Sequence, residues 1–333
     1  MQKNKLKFLQ VGLGSMGKRR IRNLISNNIS VDNIRGFDTD KQKVNEVKKI
    51  YGVDSYNNFQ KAIENFSPDV FIISTPPNKH KEYFLYAAKN KKHFFVEVGT
   101  SGDGYKELMM LLDNSFVAAP SCTFQYHPAV KKIKNIVDSQ KIGKILAYNY
   151  HLGQYLPDWH PWEDYRQVYF SKKETGACRE MFPYELKWLN MIVNSEVKLV
   201  KGIIRKISDL DMTADDFYSA IVEYKNKVIG NLVIDVISRT PKRTLRLIGT
   251  EGILEWEWLD DLIKVYSSKN KEWINIALTR GEQQDGYVAT EDMYHEEIKD
   301  FLDTIRENKN FHYTFQDDLK VLKVLESLES NNL

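Results

Sequence analysis

The chain is poor in the features that mark secreted scaffolds, membrane proteins and polyanion binders. It has two cysteines, Cys122 and Cys178. Two are too few for a disulfide framework, and they show no zinc-ligand spacing. No apolar run approaches the ~20 residues of a membrane span. Charge of neither sign dominates: 48 Lys and Arg against 45 Asp and Glu leave +3. That balance argues against nucleic acid as a partner, and the lysine-rich stretches 41–49 and 131–134 read as solvated helix faces. Internal repeats and low-complexity tracts are also missing. The first apolar strand starts so near Met1 that no signal peptide is expected before it. The expectation is a cytoplasmic protein with no membrane association. Its 333 residues suffice for two domains with real cores.

The densest signal is at the start. Leu6–Val11 reads as a buried strand, and it runs directly into Gly12-Leu13-Gly14-Ser15-Met16-Gly17. Lys18–Asn27 then reads as a helix, and 33–38 as a second strand ending in Asp38. A lone GxGxxG is weak evidence. With strand before, helix after and an acidic residue about twenty positions on, it becomes a dinucleotide-binding βαβ signature. Gly12 permits the tight turn, Gly14 admits a pyrophosphate, and Gly17 lets helix and strand approach. The free N–H groups of the helix start favour phosphate. A carboxylate at Asp38 accepts from ribose hydroxyls and repels a 2′-phosphate, so NAD is expected over NADP.

Further along, Val70–Ser74 reads as a short buried strand closed by Thr75-Pro76-Pro77-Asn78-Lys79-His80. This turn falls at a strand carboxyl end, where ligands sit in open parallel sheets. Strands at 93–98 and 116–120 complete a doubly wound α/β Rossmann domain over 1–122. From 123 to 333 the rhythm changes. A helix at 128–139, a strand at 144–152, a long aromatic loop at 153–174 and a helix at 181–193 lead into a hairpin-rich series. Its strand-like runs are 197–207, 216–224, 228–238, 245–249, 253–258 and 263–266. Helices at about 292–306 and 316–329 close the chain, the last expected to pack back on the first domain. The second domain reads as α+β with a large, open, mostly antiparallel sheet. One face of that sheet is expected to carry helices. The other is expected to form a homodimer or homotetramer, since a bare apolar face is a liability.

This order of motifs resembles the Gfo/Idh/MocA oxidoreductases: GLGSMG, Asp38, STPPNKH, a strand ending in Glu97, then a crossover into an antiparallel domain. The resemblance spans essentially the whole chain. It implies an NAD(P)-dependent enzyme acting on sugars, inositols or nucleotide-linked sugars. The stretch from Gly153 to Arg166 and the run RLIGTEGILEW further resemble members associated with bacterial surface polysaccharides, which implies a nucleotide-sugar or sugar-acid substrate. The chain also departs from the family pattern. Glu97 is followed by Val98 and Gly99 instead of Lys-Pro, so the usual lysine is absent. In the segment Thr175–Tyr184, Glu180 stands at the family's Asp position and Tyr184 at its His position.

Tyr184 is the first candidate for the proton route, its alternative being a pocket wall. A tyrosine can donate a proton to a developing alkoxide, and its usual pKa near 10 must fall for it to act as base. Glu180, one helical turn earlier, is placed to orient Tyr184, to bind a hydroxyl, or to pair with Arg179. Glu97 is a candidate for the nicotinamide side, or a carboxylate that stabilises a loop. Candidate substrate contacts are Gln125 and His127 just after the crossover, then Trp159, His160, Trp162 and Arg166 in the aromatic loop, and Arg179. For His127 a structural hydrogen bond is the competing reading; for the aromatics it is an intersubunit clamp. Two functions stay open: an active oxidoreductase transferring hydride between NAD and a carbohydrate hydroxyl or ketone, or a family member with impaired chemistry that binds cofactor or nucleotide sugar.

Overall fold

The structure, a computed structural model, describes residues 6–159, 163–279, 281 and 291–332. His160 and Trp162 lie outside them. The chain divides into two compact units. One holds the residues up to Cys122 together with Tyr294–Leu319; the other holds Thr123–Met293 and the residues from Lys320 on.

The first unit alternates strands and helices: β1 (Phe8–Val11), α1 (Ser15–Ser26), β2 (Ile34–Phe37), α2 (Lys41–Tyr51), β3 (Ser55–Tyr56), α3 (Phe59–Phe66), β4 (Val70–Ile73), α4 (His80–Lys89), β5 (His93–Val96), α5 (Tyr105–Leu111) and β6 (Ala118–Pro120). The six strands pair in the order β3-β2-β1-β4-β5-β6, all parallel. Every residue of β1 and β4 is buried, as expected of parallel strands covered on both faces. Strand order reverses between β1 and β4, so their carboxyl ends frame the switch-point crevice. The glycine-rich turn follows one of these strands and the Thr75–His80 turn the other. The strand expected at 116–120 is shorter than its apolar run, because only Ala118–Pro120 pair with β5.

The second unit contains α6 (Pro128–Asp138), β7 (Ile145–Tyr155), α7 (Cys178–Val193), β8 (Val197–Arg205), β9 (Phe217–Tyr224), β10 (Ile229–Asp235), β11 (Ile237–Gly249), β12 (Gly252–Glu257), β13 (Leu262–Ser267) and β14 (Glu272–Ala277). Helices α8 (Asp292–Glu307) and α9 (Phe315–Ser330) follow. Eight strands form one sheet in the order β14-β13-β12-β11-β7-β10-β9-β8. Its pairs are antiparallel except β7 with β10. The aromatic loop begins later than its composition suggests. Gly153 pairs with Asp235 and Tyr155 with Ile237, so 153–155 continue β7. Helix α7 starts three residues before the expected Met181 and accommodates Pro183 in its second turn.

Alternation along the strands separates the two sheet faces. Tyr148, Tyr150 and Leu152 are buried on the side of α7, while Asn149 is exposed on the other. That outer face carries Leu199, Ile203, Ile221 and Ile229, all exposed, on adjoining strands β8, β9 and β10. It also holds a groove of about 400 Å³ whose lining includes Asn149, His151, Arg246, Glu255 and Lys264.

Candidate active site

The cofactor cradle is built by β1, α1 and the two loops at the switch point. Gly12 has φ +86°, and a Cβ there would sit 2.5 Å from the Ser74 carbonyl oxygen. A Cβ on Gly17 would come within 1.9 Å of the Gly12 oxygen. Both positions therefore demand glycine. Gly14 differs: a Cβ on it would meet nothing within 4 Å. Packing inside the chain does not require that glycine, and the open space beside it fits a phosphate. Helix α1 opens at Ser15 and Met16 with no side-chain cap and no acidic residue in its first turn. A helix start of this kind is a favourable place for a phosphate. Asp38 completes the cradle. One carboxylate oxygen accepts the Leu13 N–H at 2.8 Å and the other the Asp40 N–H at 2.9 Å. Each oxygen keeps a lone pair for ribose.

The second loop offers further polar groups. The hydroxyl oxygens of Ser74 and Thr75 are buried without a hydrogen-bond partner among the described residues. Buried polar atoms of that kind are rare and call for an explanation, and a bound nucleotide supplies one. Pro76 and Pro77 shape the turn. His80 lies with Nε2 2.8 Å from the Thr75 carbonyl oxygen. A carbonyl only accepts, so Nε2 carries the proton and His80 locks the loop. Gln10, buried beneath the glycines, donates to the Val11 and Gly12 carbonyls. These residues fit a dinucleotide.

Glu97 has a structural partner. Arg20, fully buried on α1, grips it with Nε 2.6 Å and NH2 3.1 Å from its two oxygens. The same guanidinium reaches Glu297 at 2.8 Å, and Glu297 accepts from Ser121 Oγ and the Cys122 N–H. This network joins α1, the residues just after β5 and β6, and α8 within the first unit. Val98, at the usual lysine position, is buried.

In the second unit the 123–126 turn and β11 pack around α7. Ala177, just ahead of the helix, is buried at φ +50°, ψ −129°, a conformation that costs energy for a residue with a Cβ. Gly176 is pinned as well, since a Cβ there would lie 2.0 Å from the Phe170 oxygen. Glu180 accepts from the Tyr169 hydroxyl at 3.1 Å. Tyr184, half-buried, packs on Phe124 with ring centroids 5.9 Å apart. Behind it Arg243 places its guanidinium 4.1 Å from the Phe124 ring centroid and donates to Tyr150 Oη and Glu185 Oε1. Glu185 also accepts from Tyr150 and from Trp188 Nε1. Burial opposes the Arg243 charge, but Glu185, Tyr150 and Tyr184 together hold it protonated.

The remaining predicted contacts separate. His127 is 7% exposed and caps α6, its Nδ1 accepting the Ala129 N–H. Burial, helped by Arg243, pushes it down to about 3, so it is neutral at ordinary pH. Gln125 donates to the Lys187 carbonyl at 3.3 Å. Arg179 is held by Glu329 of α9 at 2.6 and 3.2 Å, so the expected partner for Arg179, Glu180, is not the one it takes. Arg166 pairs with Asp164 at the surface. Trp159 packs edge-on against Phe170. Sequence reasoning missed three residues beside Tyr184: Glu185, Lys187 and the role of Arg243. All three are charged residues at apolar-face positions of a helix or strand, and a charge inside an apolar stripe is the signal that could have found them.

A family model described as "Oxidoreductase family, NAD-binding Rossmann fold" matches residues 6–140. A second, the GFO/IDH/MocA C-terminal domain, matches 130–255. Together they span well over half of the chain. No curated protein matches significantly. Among solved structures, levoglucosan dehydrogenase in complex with NADH and levoglucosan has 16% identity, a TM-score of 0.82, and coverage of 98% of this chain and 96% of its own. An oxidoreductase from Agrobacterium radiobacter, in complex with NAD+, L-tartaric acid and magnesium, has 12% identity, a TM-score of 0.83 and the same coverage. GenD2 from gentamicin A biosynthesis, in complex with NAD, has 17% identity, a TM-score of 0.80, and coverage of 98% and 94%. At such identities the likeness is one of fold. With both family domains matched in sequence and the dinucleotide cradle in place, the chain belongs to the Gfo/Idh/MocA family of NAD-binding oxidoreductases.

Proposed function

We propose that the protein oxidises or reduces a carbohydrate at a hydroxyl or ketone carbon, with Tyr184 as its proton route. The substrate class we favour is a nucleotide-linked sugar or a sugar acid. The observation that carries the reading is the complete cradle, from open Gly14 to Asp38 and the buried Ser74 and Thr75 hydroxyls. Structures of the same fold hold levoglucosan and tartaric acid, which supports a small polyhydroxylated substrate. Bound NAD supplies the acceptor or donor for the hydride at the substrate carbon. Tyr184 takes the proton leaving the substrate hydroxyl, or returns it in reduction. Glu180 binds a neighbouring hydroxyl. Glu97, committed to Arg20, shapes the cofactor loop and does not move a proton. We further propose that a second copy of the chain covers the outer face of the eight-stranded sheet.

Fluorescence titration with NADH and NADPH, followed by assay against sugars linked to UDP, GDP, dTDP and CMP and against free sugar acids, tests this reading. Binding of NADH with turnover of one class is expected. Tyr184→Phe should keep NADH affinity and lower kcat at least about a hundredfold, the usual contribution of a positioned acid or base. Unchanged turnover would move the proton route elsewhere. Cofactor binding without turnover of any carbohydrate favours the second reading, a binding protein with lost chemistry. The missing lysine and the engaged Glu97 are what keep that reading open.

A further inference from the structure

Arg243 stands where the alternation of β11 calls for an apolar residue. It pairs with Leu152 of β7 and shares the inner face of the sheet with Leu245 and Leu247. It is 5% exposed, and an arginine is seldom so enclosed unless its charge is used. Part of that use is structural. Nε donates to Tyr150 Oη at 3.0 Å and NH2 to Glu185 Oε1 at 2.6 Å. The other Glu185 oxygen accepts from Tyr150 Oη and Trp188 Nε1. One edge of the guanidinium is thereby committed to a closed network.

The rest of the guanidinium is not spent. A guanidinium presents N–H donors along both edges of a planar fork. Among the described residues NH1 meets no acceptor. Arg20 makes the contrast plain. It is buried as deeply and spends its fork on two carboxylates, Glu97 and Glu297; Arg243 has one, Glu185, among the described residues. The plane of the Arg243 fork is nevertheless fixed, with the Phe124 ring centroid 4.1 Å and the Trp258 centroid 4.6 Å from Cζ. Nor is the group sealed. Glu185 is wholly enclosed, whereas the Arg243 side chain keeps 6% exposure. Trp258 beside it is half-buried, as is Tyr184, which packs on the same Phe124 ring. A desolvated donor without an acceptor costs free energy, and an oxyanion is the acceptor that a guanidinium matches best.

Resting on the reading that Tyr184 faces the substrate, we propose that Arg243 is a substrate-binding residue whose NH1 end receives an oxyanion carried by the carbohydrate. That oxyanion is the carboxylate of a sugar acid or a phosphate of a nucleotide-linked sugar. The contact selects anionic over neutral sugars. Phe124 and Trp258 set the plane of the fork, and Tyr150 and Glu185 hold its inner edge, so little ordering is left to be done on binding.

Isothermal titration of the NADH-loaded protein tests this without turnover. The probes are D-glucuronate for the carboxylate, UDP for the phosphate, and D-glucose as the neutral counterpart. At least one anion is expected to bind about tenfold or more tighter than glucose, the worth of one charged hydrogen bond. Arg243→Lys keeps the charge and loses the fork. It should weaken that anion by about tenfold or more and leave glucose and NADH unchanged. Whichever anion depends on Arg243 names the source of the oxyanion. Anions that bind no tighter than glucose, or equally well to wild type and variant, overturn the inference. Where Arg243→Lys fails to fold, as judged by thermal unfolding, Arg243→Met combined with Glu185→Gln replaces it, because removing both charges leaves no carboxylate buried alone. Failure of the underlying reading looks different: an anion binds in an Arg243-dependent way, yet no carbohydrate is turned over.

Discussion

The Asp38 carboxylate does two things at once. It receives the Leu13 and Asp40 N–H groups, fastening the glycine turn to the end of β2, and it presents the remaining lone pairs outward. Asp38→Ala therefore removes the proposed ribose acceptor and a loop clamp together. NADH affinity should fall about tenfold or more, the cost of losing one charged hydrogen bond. Discrimination against NADPH should also relax, because the charge that repels a 2′-phosphate is gone. Paired isothermal titrations with the two cofactors check this, and equal affinities before and after would refute the ribose role. Arg20 shows a different logic at the same scale. It is buried between Glu97 and Glu297, and removing one partner of such a set typically costs about 3–5 kcal/mol. Loss of activity in an Arg20 variant would thus report on folding first.

Helix α6 has a titratable cap. His127 accepts the Ala129 N–H through Nδ1, which requires the neutral ring, and Pro128 occupies the first helical position, where its missing N–H is harmless. The folded ring titrates at about 3 and the unfolded one near 6.5. Between these values the unfolded state binds the extra proton, so stability rises with pH there. The contribution is fully present above about pH 6.5 and is lost as pH falls toward 3. Each pH unit across that window is worth up to about 1.4 kcal/mol. His127→Asn keeps a capping oxygen and removes the titration. Denaturant unfolding at about pH 7 and about pH 5 should show a smaller loss of stability on acidification for this variant than for the wild type. Equal losses would assign the acid sensitivity to other groups. Helix α7 carries its own constraint in Ala177 at φ +50°. Strain of this kind persists only where the surroundings over-determine it, and here it sets the start of the helix that bears Glu180, Tyr184 and Lys187.

For the whole molecule, the eight-stranded sheet has unequal faces. One is filled by Tyr148, Tyr150, Trp188 and Leu186. The other shows Leu199, Ile203, Ile221 and Ile229 to solvent on three adjoining strands, with Trp273 exposed on β14. These exposed apolar side chains fit the protein contact proposed above, and a twofold pairing of identical subunits is the commonest such assembly. Light scattering of the purified protein should give a dimer or a larger even assembly. Ile221→Asp, at the centre of that patch, should shift it toward monomer while NADH affinity stays the same. A wild-type monomer would remove the proposal. Among the described residues no helix is long and apolar enough to cross a membrane.

Much of the first unit was legible in the chain because its signals are local. The Gly12–Gly17 spacing, the strand before it and Asp38 at the end of β2 are dictated by backbone sterics and by hydrogen bonds within one βαβ unit. The antiparallel character of the second sheet was legible too, from period-two alternation and turn residues. What the tertiary structure alone decided is which charges are spent. That Arg20 takes Glu97, that Glu329 takes Arg179, and that Glu185 takes Arg243 are pairings across 77, 150 and 58 positions. No spacing rule reaches that far. Only the packing of a helix against a sheet or another helix brings such groups within hydrogen-bond distance and removes the water that would otherwise screen them. The same packing buried Lys187, an ordinary lysine in the sequence, one helical turn from Tyr184.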